Sequence, residues 1–124
     1  MPSLGGPVSF PFTSAVGAGA VYAPVDGWQY VFAPQNCMIE VLLRCTAVGL
    51  LASITAGGNT IQQEANIQAG GTAGVTPSPL NTPVVTGRAM AGERIRIAVR
   101  NPTGGAQTVD GIITLIPLGG GRRR

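Results

Sequence analysis

The side chains able to act as nucleophiles in this chain are Ser3, Ser9, Ser14, Ser53, Ser78, Cys37 and Cys45. None has an ordinary activator. The chain has no histidine and all eight of its cations are arginine, so a Ser–His pair, a Ser-x-x-Lys arrangement, a lysine Schiff base and a Walker-type phosphate lysine are all excluded. The five acids, Asp26, Glu40, Glu64, Glu93 and Asp110, are scattered one by one and form no calcium loop or Mg²⁺ pair. Only a pair brought together across strands, such as Glu40 with Glu93, leaves a route to glycosidic chemistry. The glycine runs Gly57-Gly58, Gly70-Gly71 and Gly119-Gly120-Gly121 match no phosphate-binding motif and read as turns and a tail. The sequence therefore predicts a non-enzymatic protein with no cofactor and no metal.

Cys37 and Cys45 stand eight positions apart within one predicted strand, which sets them roughly 26 Å apart when extended, far beyond disulfide reach. Both fall on the apolar, odd-numbered side. They are expected to be buried, reduced thiols of a protein made in a reducing cytoplasm.

Length and charge set the wider frame. At 124 residues and 12.6 kDa there is material for one core. Charged residues are 10% of the chain, while glycine (19) and proline (10) are abundant, which argues against long exposed helices. The sequence pI near 9.5 is misleading as a sign of nucleic-acid binding. Arg44, Arg88, Arg94, Arg96 and Arg100 balance the five acids, and the excess of +3 is the terminal Arg122-Arg123-Arg124 run. Neither nucleic acid nor membrane is the expected partner. The uncharged stretches 1–25 and 65–87 are broken by prolines before any helix of about 20 residues, and the first lacks the basic start of a signal peptide. A mean hydropathy of +0.30 with so few charges points instead to burial against other protein chains.

The elements that must carry these residues follow period two. Ile95, Ile97 and Val99 alternate with Arg94, Arg96 and Arg100, the clearest strand in the chain. After Asn101-Pro102-Thr103-Gly104-Gly105 a second strand, about 107–118, is expected to return as a hairpin partner. Further strands are predicted over 28–32, 38–47, 50–55 and 84–88, with a long loop over 70–83. Leu42, between Glu40 and Arg44, suggests that this strand is covered on both faces. Over 59–69 a capping pattern (Thr60 with Gln63) competes with the odd-position run Ile61, Ala65, Ile67, and strand is favoured. The expected fold is all-β: an antiparallel β-sandwich or jelly roll of seven or eight strands over residues 25–118, with a flexible Gly/Arg tail over 119–124.

Residues 1–24 read differently, as an extended apolar N-terminal arm interrupted by Pro2, Pro7, Pro11 and Pro24. The arm either packs across its own sandwich or lies on a neighbouring subunit, with Leu4, Val8, Phe10 and Phe12 as its contacts. The row Arg94, Arg96, Arg100 is the second candidate contact surface; alternatively it is a solvated face paired with Glu93, Glu40 or Asp110.

The run Ala91-Gly-Glu-Arg-Ile-Arg-Ile-Ala-Val-Arg-Asn-Pro-Thr-Gly-Gly, followed by Val109-Asp-Gly-Ile-Ile-Thr-Leu-Ile-Pro-Leu, resembles the closing hairpin of small β-sandwich proteins on tailed-bacteriophage heads. The apolar arm and short length are similar to the decoration, or cement, proteins of that group. The resemblance implies a structural virion protein that binds the major capsid protein lattice at the capsid surface and staples neighbouring capsomers. A homo-oligomer, dimer or trimer, is expected. The alternative is a phage fibre, receptor-binding or carbohydrate-binding sandwich, with Trp28, Tyr30 or Tyr22 as an exposed platform.

Overall fold

The computed structural model describes residues 7–46, 48–69, 76–77, 82 and 84–118. Nine strands follow one another along the described residues with no helix: β1 (Val8–Val16), β2 (Val21–Tyr22), β3 (Cys37–Cys45), β4 (Leu51–Ala56), β5 (Asn59–Asn66), β6 (Gln68–Ala69), β7 (Val85–Ala89), β8 (Ile95–Arg100) and β9 (Gln107–Pro117). They form two sheets. One has the order β1-β9-β3-β6, with β7 also on β3; the other runs β2-β8-β4-β5. Every pairing is antiparallel except the two-residue β3–β6 contact. The chain is an all-β sandwich.

The core lies between the sheets and follows the alternation read from the sequence. Ile95, Ile97 and Val99 of β8 are fully buried, level with Ala56, Ile54 and Ala52 of β4. From the other sheet, Ile39 and Val41 of β3 and Ile113 and Leu115 of β9 face them, all at 1% exposure or less. Cys37 and Cys45 take part as buried thiols, and that of Cys45 donates to the carbonyls of Ile67 and Gln68. Leu42, on the opposite side of β3, is only 6% exposed, so this strand is covered on both faces. Segment 59–69 is strand, with a register irregularity against β4 between Ala52 and Thr55.

Three expectations are corrected. Residues 8–16, expected as part of an extended arm over 1–24 separate from the β-sandwich domain, form a nine-residue edge strand of the sandwich, paired with β9 from Val8↔Leu115 to Val16↔Gln107. The inward side chains, Val8, Phe10, Phe12 and Val16, share even positions, a period-two signal, and Pro11 is tolerated because an edge strand is paired on one side only. Leu4 lies outside the described residues.

Segment 28–32 is not a strand. It coils through turns, with Trp28 N–H donating to the Val25 carbonyl (3.1 Å) and Val31 N–H to the Trp28 carbonyl (3.0 Å). Among the described residues its one ladder contact is a bridge from Phe32 to Arg94. The rings decide this: coiling lets Trp28 stack on Phe10 at 5.0 Å and 14°, a packing gain that outweighs β-propensity.

The third correction concerns β8 and β9, which do not form a hairpin; they belong to opposite sheets. The chain crosses the core between them at Asn101, which is fully buried. Its Nδ2 donates to the carbonyls of Val16 and Gly105, both at 2.8 Å, and its Oδ1 accepts from the N–H (2.9 Å) and hydroxyl (2.5 Å) of Thr103. The side chain thereby fixes an arch between sheets where the turn residues alone would permit a hairpin.

Two glycines close the flanks of the sandwich. A methyl on Gly111 of β9 would lie 2.5 Å from Cζ of Phe12 and 2.7 Å from Cδ2 of Leu43. One on Gly87 of β7 would lie 2.7 Å from Ile61 of β5, a strand of the facing sheet. In each place a bulky side chain fills the hollow that glycine leaves.

Candidate functional site

Val8, Phe10 and Phe12, offered as contacts either to the chain's own sandwich or to a neighbouring subunit, are directed inward and are part-buried against the chain's own core. The rings join in sequence: Tyr22 meets Phe12 edge-on (6.4 Å), Phe12 tilts on Phe10 (6.2 Å), Phe10 stacks on Trp28, and Trp28 meets Tyr30 edge-on (5.3 Å). Burial pushes the Tyr22 hydroxyl above its ordinary pKa. This seam seals the β1 side of the sandwich, and one face of Trp28 is taken by Phe10.

The arginine row occupies the outer face of the four-stranded sheet. Along β8 the odd residues point into the core and Arg94, Arg96 and Arg100 point out, all exposed. The row is about 20 Å long at strand spacing. Its acids come from unforeseen places. Arg100 forms a two-pronged pair with Glu64 (2.8 and 2.6 Å), and because β4 lies between β8 and β5 this pair bridges over β4. Arg94 reaches Asp26 at 3.4 Å. The pairing holds the Glu64 carboxyl below the usual carboxylate range and raises the Arg100 guanidinium. Arg96 stands level with Thr55, itself opposite Thr60, and has no ion-pair partner among the described residues.

The acids named beforehand as partners sit elsewhere. Glu93 lies in the turn before β8 and accepts the Met90 N–H at 2.8 Å. Glu40 and Asp110 belong to the other sheet, and Asp110, in register with Arg44, is 2% exposed. Glu40 and Glu93 thus sit in different parts of the fold, one on a strand of the five-stranded sheet and the other in a turn leading into the four-stranded one. Among the described residues no group of three His, Cys, Asp or Glu side chains gathers in a metal-binding cluster.

Two residues missed in the sequence complete the arginine face. Directly opposed residues of an antiparallel pair present their side chains to the same side. Phe32, opposite Arg94, and Val21, opposite Arg100, therefore lie on this face, 51% and 57% exposed. Leu51, Ser53 and Thr55 of β4 and Ala98 of β8 floor it between them. No sequence signal marks Val21; Phe32 was hidden in the supposed strand 28–32.

The five-stranded sheet differs. Its outer side carries the nearly buried Leu42 and Asp110, and Thr76 joins Pro11, Thr13 and Asp110 around a hollow of about 260 Å³. A separate groove of about 230 Å³ runs beside β5 and β6, with Leu43, Ile67 and Val85 beneath the carboxamides of Gln62, Asn66 and Gln68.

No protein-family model matches the chain, and no curated protein matches it. Among solved structures the chain is similar to the C-terminal CBM6 of LamC, a marine laminarinase from Zobellia galactanivorans, with a TM-score of 0.46 and 13% identity over 88% of this chain and 99% of that one.

Proposed function

We propose that this protein is a non-enzymatic structural component of a virion: a capsid decoration or cement protein that docks on the major capsid protein lattice, staples neighbouring capsomers and works as a homo-oligomer. The observation that carries the reading is the make-up of the surface. Two of its acids are tied to Arg94 and Arg100 and a third, Asp110, is buried, while Val21, Phe32, Val48, Val84 and Met90 stand 39–78% exposed. A small domain with that little ionic coating gains by covering its walls with other chains. Many copies on a lattice then add modest contacts by avidity. The basic residues 122–124 lie outside the described residues.

The test is co-sedimentation of the purified full chain with shells of the major capsid protein of the virus that carries it, together with light scattering of the free chain. Saturable binding at a fixed ratio to the lattice is expected. A free monomer at high concentration that leaves the shells bare would sink the reading.

A second reading, a carbohydrate-binding module, has one observation in its favour: the uncharged, carboxamide-rimmed groove beside β5 and β6. Titration with neutral oligosaccharides, followed by amide shifts of Gln62, Asn66 and Gln68, checks it; unchanged shifts remove it.

A further inference from the structure

We infer that the outer face of the four-stranded sheet is the docking face, with Arg96 as its electrostatic anchor against a carboxylate on a partner protein and Phe32 and Val21 as apolar contacts at its two ends. The inference rests on the capsid-binding reading and deepens it by naming the face and the chemistry of the surface it meets.

The two sheets are not equivalent in what already covers them. On the five-stranded sheet Leu42 and Asp110 are 6% and 2% exposed on the outer side, and Thr76 of this same chain lies beside Asp110. The four-stranded sheet has no such cover among the described residues: Val21, Phe32, Arg94, Arg96 and Arg100 are all exposed.

Charge then selects the partner. Arg94 and Arg100 are paired with Asp26 and Glu64, so among the described residues the face presents one guanidinium without an acid beside it, Arg96, level with Thr55 and near Ser53 and Ala98. One net positive charge with uncharged neighbours fits a single carboxylate on a largely uncharged protein wall, where arginine and aromatic side chains are the characteristic anchors. It does not fit a phosphate backbone, which calls for several free cations in a row. A second copy related by a two-fold axis passing at Arg96, the centre of the face, would set Arg96 against Arg96, a like-charge contact.

The experiment uses the full chain and the shells named above. Arg96→Glu and Phe32→Asp are each expected to weaken binding roughly tenfold or more, with unchanged circular dichroism and melting temperature. Thr114→Glu, on the outer side of the other sheet, should bind as the unaltered chain does. A benzophenone attached to Thr55→Cys should cross-link to the shell protein, and one at Thr114→Cys should not. Because cross-linking needs no loss of binding, it decides the matter even where a charge variant folds poorly. If the unaltered chain binds shells while Arg96→Glu and Phe32→Asp bind equally well and Thr55 gives no cross-link, the face is wrong and the capsid reading stands. If the unaltered chain does not bind shells at all, both fall. Tight binding of a 40-nucleotide single-stranded DNA that is lost with Arg96→Glu would overturn the protein partner in favour of nucleic acid.

Discussion

The buried carboxamide of Asn101 donates to the carbonyl of Val16 at 2.8 Å, tying the end of the first strand to the point where the chain leaves one sheet for the other. The backbone reinforces the tie, with Asn101 N–H donating to the Ala20 carbonyl (3.0 Å) and Gly19 N–H to the Asn101 carbonyl (2.8 Å). Replacing Asn101 with alanine strands the buried carbonyl of Val16 and the N–H of Thr103. A loss of about 2 to 3 kcal/mol is expected, measured as a shift in the denaturant midpoint at constant slope.

At Gly111 the expected effect is overpacking. Gly111→Ala pushes a methyl into the Phe12 ring and should destabilise the fold by about 1 to 3 kcal/mol. Phe12→Leu in the same chain should recover part of that loss. A double-mutant cycle in chemical denaturation measures the coupling, and strict additivity would refute the contact.

The β1 strand belongs to the folding unit. Phe10→Ala should cost about 2 to 3 kcal/mol, below the range for a fully buried ring because Phe10 is only part-buried, and should change the fluorescence of Trp28, whose stacking partner it removes. Deleting residues 1–16 strips β9 of a neighbour along nine positions, and the expected outcome is loss of cooperative melting.

The Glu64–Arg100 pair makes stability depend on acid. Arg100 holds the folded-state pKa of Glu64 below its unfolded value of about 4.5, so the pair's contribution is present above that value and is lost as pH falls through the folded-state pKa. The pair is exposed, so its effect is small and screened by salt. Melting of the unaltered chain and of Glu64→Gln should differ at pH 7 in low salt and converge near pH 2 or in 1 M salt.

Cys37 gives the opposite sign. Burial raises its thiol pKa above 9.0, so the native state is favoured below that value and loses ground as pH rises through it, when the unfolded chain ionises first. Native protein should react with a thiol reagent only at the rate at which it opens, and denaturant should release both Cys37 and Cys45.

Much of the architecture is legible in the residues, and the gaps have physical causes. Alternation at Ile95, Ile97 and Val99 and the covered Leu42 follow from burial, which side-chain type reports directly; in 59–69 the extended backbone was legible, but of the run Ile61, Ala65, Ile67 only Ile67 is fully buried, because the irregular register against β4 breaks the alternation. Pro11 disguised β1, because a proline argues against a strand until the strand is known to be an edge. Trp28 and Tyr30 have strand-forming side chains, yet their rings are held by Phe10, remote in sequence. The turn 101–105 has the composition of a hairpin, and only the bonds of Asn101 select an arch. At the candidate face the arginines were visible as a row, whereas Asp26 and Glu64 are brought to it by the order of the strands, which no local pattern encodes.

Pro11 has a further effect on how copies can live together. Among the described residues β1 pairs with β9 alone, and its other side is the kind of border along which identical strands zip into fibres. Pro11, the fourth of its nine residues, has no N–H to give, and a proline in an edge strand is one of the devices that blunt such pairing. The residue that interrupts the sequence of β1 thus also makes its border a poorer template for a second strand.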